Sequence, residues 1–485
     1  MKKEIIVVVV FLICVAIPLF IGLQANDGNF LYTLDDPYIH LALSKNLSAG
    51  HYGINSCENT APSSSVLWPF LLVPFVLISS GYLAPFILNT FFALITVYLL
   101  RKYFDNNMFT FAAIFAFNLV GLVFTGMEHS LQVLLVVVIT AGAIEFKNSE
   151  KTSLLFVIAL VSAPLVRYEN LAISIPILGY LFFLGEKKKA LLIFAFILLF
   201  LGGFSAYLVS LGLDPMPASV NAKSAVVGGS GRFVLVISNF IDSLNSIRGM
   251  AQFSLLFPLL LAFKLSVFDR GSKALALTAI VAILMHFAVG RFGWFHRYGV
   301  YMWVFSVMIV FHLFRNFILK HKYIFVLLFG VLSTNYMYGY KSIPAASTNI
   351  YQQQFQMRRF VHKWLSEPVA VNDLGLVAMD YEPYVLDLWG LATPGAINGA
   401  SSPAWVDSSA LANDVFVAIV YRDELPGIHH WKQVARMEIS PPLVVCVSGG
   451  IDFLVAPWAS SDSVKVLLTD FSNSLPDGIN LVIFE

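Results

Sequence analysis

Charged residues are scarce in this sequence: they fill 12% of its 485 positions, against roughly 25% in an ordinary globular protein. Cysteine is scarcer still, with three in the chain, too few for a disulfide framework. Gly and Pro are no more than average and form no repeat or low-complexity run, which excludes collagen-like and disordered architectures. A net charge of +1 offers no basic face for nucleic acid. What is present is apolar. Hydrophobic types make up 58% of the chain, 43 residues are Phe, and mean hydropathy is +0.77. A water-facing fold of this size cannot hide so much apolar surface, so the composition reads as an α-helical polytopic membrane protein.

The first apolar run, 5–23, follows Met1-Lys2-Lys3-Glu4. A basic start and an apolar run also describe a signal peptide, but Leu23-Gln24-Ala25 is a poor cleavage site, so an uncleaved first span is expected. Further runs lie near 82–100, 108–125, 129–145, 152–166, 170–185, 190–211, 251–267, 274–291, 298–314 and 323–338. The stretch 65–79 is short and carries Pro69 and Pro74. Whether it crosses decides the side of every later loop. If it does not, Arg101, Lys102, Lys147, Lys151, the lysines at 187–189, Lys264, Arg270, Lys273, Arg315, Lys320 and Lys322 join Lys2 and Lys3 in the cytoplasm. Lys45, Arg167, Lys223, Arg232, Arg248, Arg291 and Arg297 are then left outside. The positive-inside rule selects that arrangement. The expectation is about eleven spans in the inner (cytoplasmic) membrane, a cytoplasmic N-terminus, and 65–79 as a re-entrant or interfacial segment.

Beyond residue 340 the character changes, because 341–485 hold 8 of the 30 basic but 15 of the 29 acidic residues. Short apolar runs at 415–420, 443–447 and 480–484 read as strands of a buried sheet, with helices over 350–365 and 462–474. Residues 1–340 are therefore expected to form a transmembrane domain whose first outer loop, 24–81, carries the chemistry. Residues 341–485 are expected to form a small extracytoplasmic α/β domain.

The charges in the outer loops need a reason to be there. In Leu34-Asp35-Asp36-Pro37-Tyr38-Ile39-His40, Pro37 suits the first helical position and makes Asp36 a natural N-cap for a helix over 37–49. His40, Ser44 and Ser48 share one face and Ile39, Leu43 and Leu47 another, as in a helix lying in the membrane interface. Capping accounts for Asp36 but not Asp35, so the pair is a candidate acid–base site. Glu128 lies in Gly126-Met127-Glu128-His129, and Arg167-Tyr168-Glu169 forms a turn in which the two charges could simply pair. Lys223 ends a Pro-rich loop, and Arg291, His296 and Arg297 flank Trp294 in RFGWFHRY, where headgroup anchoring is the plainer role. Together the loops gather carboxylates (Asp35, Asp36, Glu128, Glu169) and cations (Arg167, Lys223, Arg291, Arg297) at one face. Such cations hold phosphate, and such carboxylates take a proton from an attacking hydroxyl.

The Asp35-Asp36 pair with its following helix resembles the GT-C superfamily of polyprenyl-phosphate-sugar glycosyltransferases. Gly126-Met127-Glu128, Arg167-Tyr168-Glu169, the loop from Pro217 to Lys223, and Asp373-Leu374-Gly375 with Asp387-Leu388-Trp389-Gly390-Leu391 are similar to its bacterial arabinofuranosyltransferase-like branch. Each motif is short; their order from residue 34 to about 395 carries the likeness. Tyr168 stands where that branch more often has Pro, and PASVNAK replaces a PNT-type run, which leaves the sugar and acceptor open.

The resemblance implies a GT-C-like fold and an inverting transferase. It would move a sugar, a pentofuranose among the candidates, from a polyprenyl-phosphate donor to a hydroxyl on a glycan, lipid or protein. It implies Asp35 or Asp36 as general base, Asp35 preferred, with Glu128 orienting the acceptor or a divalent cation. His40, Arg167, Glu169, Lys223, Arg291, His296 and Arg297 are the implied substrate contacts. Asp387 and Trp389 either close over the sugar or simply make a strand-end turn. An oxygen-rich set such as Asp35, Asp36 and Glu128 suits Mg²⁺ or Mn²⁺, although no ligand spacing demands a metal. Cys57 and Cys446, both outside, are candidates for a disulfide. The rival functions are a lipid-linked-sugar flippase or transporter, which favours mid-membrane charges and repeated halves, and a polysaccharide polymerase or ligase.

Overall fold

The computed structural model describes the chain except residues 1, 79–80, 150, 224–231 and 294 and the side chains of 2–3, 221–223 and 232–233. Among the described residues, six helices are long and apolar enough to cross a membrane: Glu4–Ala25, Ala84–Phe104, His129–Ser149, Lys187–Ser210, Ile247–Lys264 and Arg270–Val289. Shorter apolar helices, among them Leu154–Val166, Tyr168–Phe183, Val300–Leu313 and Lys322–Leu332, share their core. Large apolar side chains face outward from this bundle, Phe257 74% and Leu154 75% exposed, a surface suited to lipid rather than water. The chain is a helical membrane protein with a small C-terminal sheet domain.

Local chemistry changes several expected elements. The run 108–125 is not one helix. Asn118 adopts a left-handed backbone (φ 50°) that splits it into Asn107–Ala116 and Leu119–Phe124. Asn tolerates that conformation better than most residues, and its side chain donates to the His296 carbonyl at 3.2 Å. The stretch 65–79 contains the helix Leu67–Ile78, whose 12 residues are too few for a straight span. An unexpected helix, Arg232–Asn245, packs on Arg270–Val289.

The helix expected over 37–49 is present as Asp36–Ser48, with two corrections. Asp35, not Asp36, holds the N-cap position, and it makes no side-chain capping bond. Nor does the helix offer a free apolar face. Pro37 through Ser44 are buried between Leu67–Ile78 and the short helix Gly375–Ala378 of the C-terminal domain. Of its polar face, His40 and Ser44 point into protein, where Ser44 Oγ donates to the Pro69 carbonyl (2.8 Å), and Ser48 is exposed.

The helix Thr334–Gln352 carries the chain from the bundle into the sheet domain, and Gln354–Phe360 continues it. The sheet comprises β1 (Val369–Val371), β2 (Val385–Asp387), β3 (Val417–Val420), β4 (Lys432–Ile439), β5 (Gly450–Val455) and β6 (Ile479–Ile483), in the order β2-β1-β3-β5-β4-β6. Strands β2, β1 and β3 run parallel, and the other pairings are antiparallel. The unbroken apolar sequence of β3 is buried along its length, as a central strand covered on both faces requires. The helix Ser461–Ser472 matches the one expected near 462–474.

Residues 443–447, expected to be a strand, are not one. Pro441 and Pro442 precede them, and Asn349 Oδ1 takes the N–H groups of Val444 and Val445 (2.7 and 3.4 Å) that a ladder would use. Cys57 and Cys446 are both free thiols. Cys57 is exposed on the first loop, whereas Cys446 is tucked beside Asp373 and Tyr421, so the considered disulfide does not form.

Candidate functional site

Segments far apart in sequence meet where one end of the helical bundle abuts the sheet domain. Gly126 permits one of these meetings. It has φ +65°, and a β-carbon there would stand 2.6 Å from Tyr32 and 2.7 Å from Pro37, so glycine lets the Glu128 turn lie against the Asp35–Asp36 loop. The helix Leu154–Val166 ends at Arg167, whose extended backbone (φ −153°, ψ 129°) starts the turn that carries Glu169.

Arg167 is the hub. Its Nη1 donates to Glu128 Oε1 at 2.6 Å and its Nε to Glu169 Oε1 at 2.7 Å, and Ser64 Oγ lies 3.4 Å from Nη1. The Glu128 side chain is 0% exposed. Its second oxygen faces His40 Nε2 at 3.7 Å. His40 Nδ1 is 3.1 Å from Ser63 Oγ, and that hydroxyl donates to the Ser65 carbonyl (2.7 Å). The proton between His40 and Ser63 therefore belongs to the ring nitrogen.

Tyr298 joins this group to a second one. The Arg167 guanidinium lies 5.6 Å from the Tyr298 ring centre and that of Arg297 4.9 Å from it, while Arg297 Nη1 donates to Asp36 Oδ2 at 2.9 Å. Burial by itself would lower both guanidinium pKa values. Glu169 and Glu128 beside Arg167, and Asp36 beside Arg297, override it and hold both above the usual range. Two fixed cations thus lie against one aromatic ring.

Asp35 is held from the sheet domain. Its Oδ2 accepts the Gly375 N–H at 2.6 Å and its Oδ1 the Leu376 N–H at 2.9 Å. Burial, and then the neighbouring charge of Asp373, push the Asp35 carboxyl up to about 8 against the pull of those two donors. Burial likewise raises Asp373, although Gln354 donates to it at 2.8 Å. Asp35 as a residue keeps part of its surface open to solvent while lying deep among protein atoms. A carboxyl tuned towards neutral pH matches what general-base catalysis requires.

The remaining expected residues lie around or outside this cluster. Arg291 is exposed and lines a separate cavity of about 270 Å³ with Asn239 and Asp242. His296, left-handed at φ 57°, has its Nδ1 2.5 Å from Arg248 Nη2. Burial and then Arg248 lower its pKa to about 4, so it is neutral at pH 7. Lys223 ends the helix Ala218–Lys223, and its side chain lies outside the described residues. Asp387 is buried and accepts the N–H groups of Trp389, Leu391 and Ala392, so the turn accounts for it. Trp389 is 51% exposed.

Sequence reasoning missed Tyr298, Ser63, Arg248 and the Gly375–Leu376 amides. Tyr298 had a signal, its place beside Arg297, and the amides had one in Gly375 of the Asp373-Leu374-Gly375 motif, which did not say what they would hold. No group of three His, Cys, Asp or Glu able to hold a metal converges among the described residues. The three carboxylates named for that role are each taken, Asp35 by amides, Asp36 by Arg297 and Glu128 by Arg167. As placed, they do not form a metal-ligand set.

Residues 348–460 match a family described as a domain of unknown function, DUF8728. The match covers well under half of the chain and includes Gly375 and Leu376, which hold Asp35. No curated protein matches the sequence.

Proposed function

We propose that this chain is a membrane glycosyltransferase moving a sugar from a polyprenyl-phosphate donor to a hydroxyl acceptor, with inversion at the anomeric carbon. The observation that carries the reading is the ion pair of Asp36, which follows Asp35 in the chain, with Arg297, one of two guanidinium groups lying against Tyr298. Arg167 and Arg297 are the donors for the carrier phosphate, which leaves as a stabilised anion and needs cations more than a general acid. Asp35 takes the proton from the acceptor oxygen as that oxygen attacks the anomeric carbon. One carbon–oxygen bond forms as the bond to the phosphate oxygen breaks, so configuration inverts. Glu128 and Glu169 hold Arg167 in position, and His40 faces the free side of Glu128. No step is assigned to a metal.

In this reading the chain crosses the inner membrane eleven times. The six long helices are joined by the broken segment 107–124 and by Leu154–Val166, Tyr168–Phe183, Val300–Leu313 and Lys322–Leu332. The distribution of Lys and Arg supports a cytoplasmic N-terminus, with the site and the sheet domain outside. Reporter fusions at Lys188 and Lys320 that both report an outside location would overturn that topology.

The deciding experiment uses proteoliposomes charged with a radiolabelled polyprenyl-phosphate sugar and a crude envelope acceptor fraction. Transfer of label that falls to background in Asp35→Asn supports the reading. Movement of label between leaflets without a new bond favours a flippase. Normal turnover in both Asp35→Asn and Asp36→Asn discards the base assignment.

A further inference from the structure

Three segments enclose a cleft that the cluster above does not line. Thr60 and Ala61 of the first loop, residues 212–218, and residues 390–398 of the sheet domain surround about 580 Å³, within the roughly 300–1,000 Å³ typical of ligand clefts. Its walls are tied together. The Ala218 N–H donates to the Ala61 carbonyl at 3.0 Å, and Asn55 exchanges hydrogen bonds with Val385 on the edge strand β2 at 2.9 and 3.0 Å. The Asp387 carboxylate gathers the N–H groups of Leu391 and Ala392 at 2.6 and 2.8 Å. Gly390, at φ +89°, lets Ile397 close over it where a β-carbon would stand 2.6 Å from the Ile397 side chain. The sheet-domain wall is thus a braced turn.

The lining mixes two characters. Leu213, Met216, Leu391 and Ile397 offer apolar patches, while Asp214 and Asn398 offer polar edges, and no Lys or Arg is among the described lining residues. An anionic headgroup finds no cation there, and an alkyl chain makes no hydrogen bond to Asp214 or Asn398. A neutral sugar presents C–H faces and hydroxyl edges together, which fits both. The half-exposed Trp389 immediately precedes this wall and adds aromatic surface. Ala61 lies in the wall, whereas Ser63 contacts His40 and Ser64 contacts Arg167. Three residues span at most about 11 Å, so the cleft opens within a short oligosaccharide's length of the arginine.

We propose that this cleft binds a neutral oligosaccharide acceptor. Its role as acceptor site rests on the glycosyltransferase reading; carbohydrate binding itself does not.

The test titrates full-length protein in nanodiscs with a panel of neutral pentose and hexose oligosaccharides, followed by saturation-transfer NMR. Wild type is compared with Asn398→Trp, which fills the cleft, and with the milder Asn398→Ala. Thermal unfolding and retention of a radiolabelled polyprenyl-phosphate sugar are measured in parallel. The expected result is binding of at least one oligosaccharide, weakened tenfold or more in Asn398→Trp with melting and donor retention unchanged. If Asn398→Trp does not fold, a severalfold loss in Asn398→Ala decides in favour. The proposal is overturned if wild type binds no neutral oligosaccharide, or if the folded variants bind as wild type does. Cleft-dependent glycan binding by a protein that never retains donor would keep the cleft and discard the transferase reading. Normal donor retention with glycan binding indifferent to Asn398 would discard the cleft alone.

Discussion

The Gly375 N–H meets Asp35 Oδ2 at 2.6 Å, and a β-carbon on Gly375 would stand 2.7 Å from that same oxygen. The two backbones approach so closely that only glycine fits, and the approach binds the sheet domain to the first loop. Gly375→Ala must push Asp35 away. Overpacking of this kind costs about 1–3 kcal/mol, and a displacement of about 1 Å at a reacting group lowers rates roughly 10²-fold. Turnover of the purified variant, with its melting temperature as control, checks both effects. A fully active Gly375→Ala protein would show that the clamp on Asp35 is dispensable.

The raised carboxyl of Asp35 sets a direction for pH effects. Folding moves this group from 3.8 to about 8, so the folded chain holds the proton more tightly than the unfolded chain. Its contribution to stability is complete below pH 3.8 and is lost as pH climbs through about 8. Activity runs the other way, because a base must be ionised: kcat/KM rises with pH to a plateau above about 8. Asp373→Asn removes the second cause of the shift and lowers the midpoint, while burial keeps it above the ordinary carboxylate range. A pH–rate profile identical in wild type and Asp373→Asn would contradict this account.

Arg167 answers two buried or half-buried carboxylates at once. Arg167→Ala leaves Glu128 and Glu169 without their counter-charge, a loss of about 3–5 kcal/mol for a broken buried pair. Arg167→Lys restores the charge but not the fork that reaches both partners, so its melting temperature should fall between those of wild type and Arg167→Ala. The ranking is read directly from thermal unfolding in detergent. Equal melting for Lys and Ala would mean that geometry alone matters there.

The two loop thiols should behave differently. Cys57 is exposed, whereas burial, and then Asp373, push the Cys446 thiol up to about 12. A maleimide probe is expected to label Cys57 within minutes on the folded protein and Cys446 only after unfolding. Mass spectrometry of the alkylated protein counts both, and a 57–446 cross-link would refute the arrangement.

Much of the molecule was legible from residue order because it rests on local or bulk properties. Composition alone demands lipid around the helices, since 43 Phe and 58% hydrophobic residues cannot be buried in water. The Arg167–Glu169 pair was visible because its members stand two residues apart. The apolar run of β3 announced a covered strand. The false strand at 443–447 shows the limit, because its pattern was right and Asn349 took the amides a sheet would have used.

Long-range matters were decided by the tertiary structure. Arg297 finds Asp36 across 261 positions, and Asp35 finds the Gly375 amide across 340. An ion pair of that span is set by how helices pack, and the glycine at 375 marks a close approach without saying which residue makes it. The sequence by itself determined that acidic and basic groups would be present and that the chain belongs in a bilayer. Only packing decided which carboxylate would be held by amides, which would face a guanidinium, and that one tyrosine ring would seat both arginines.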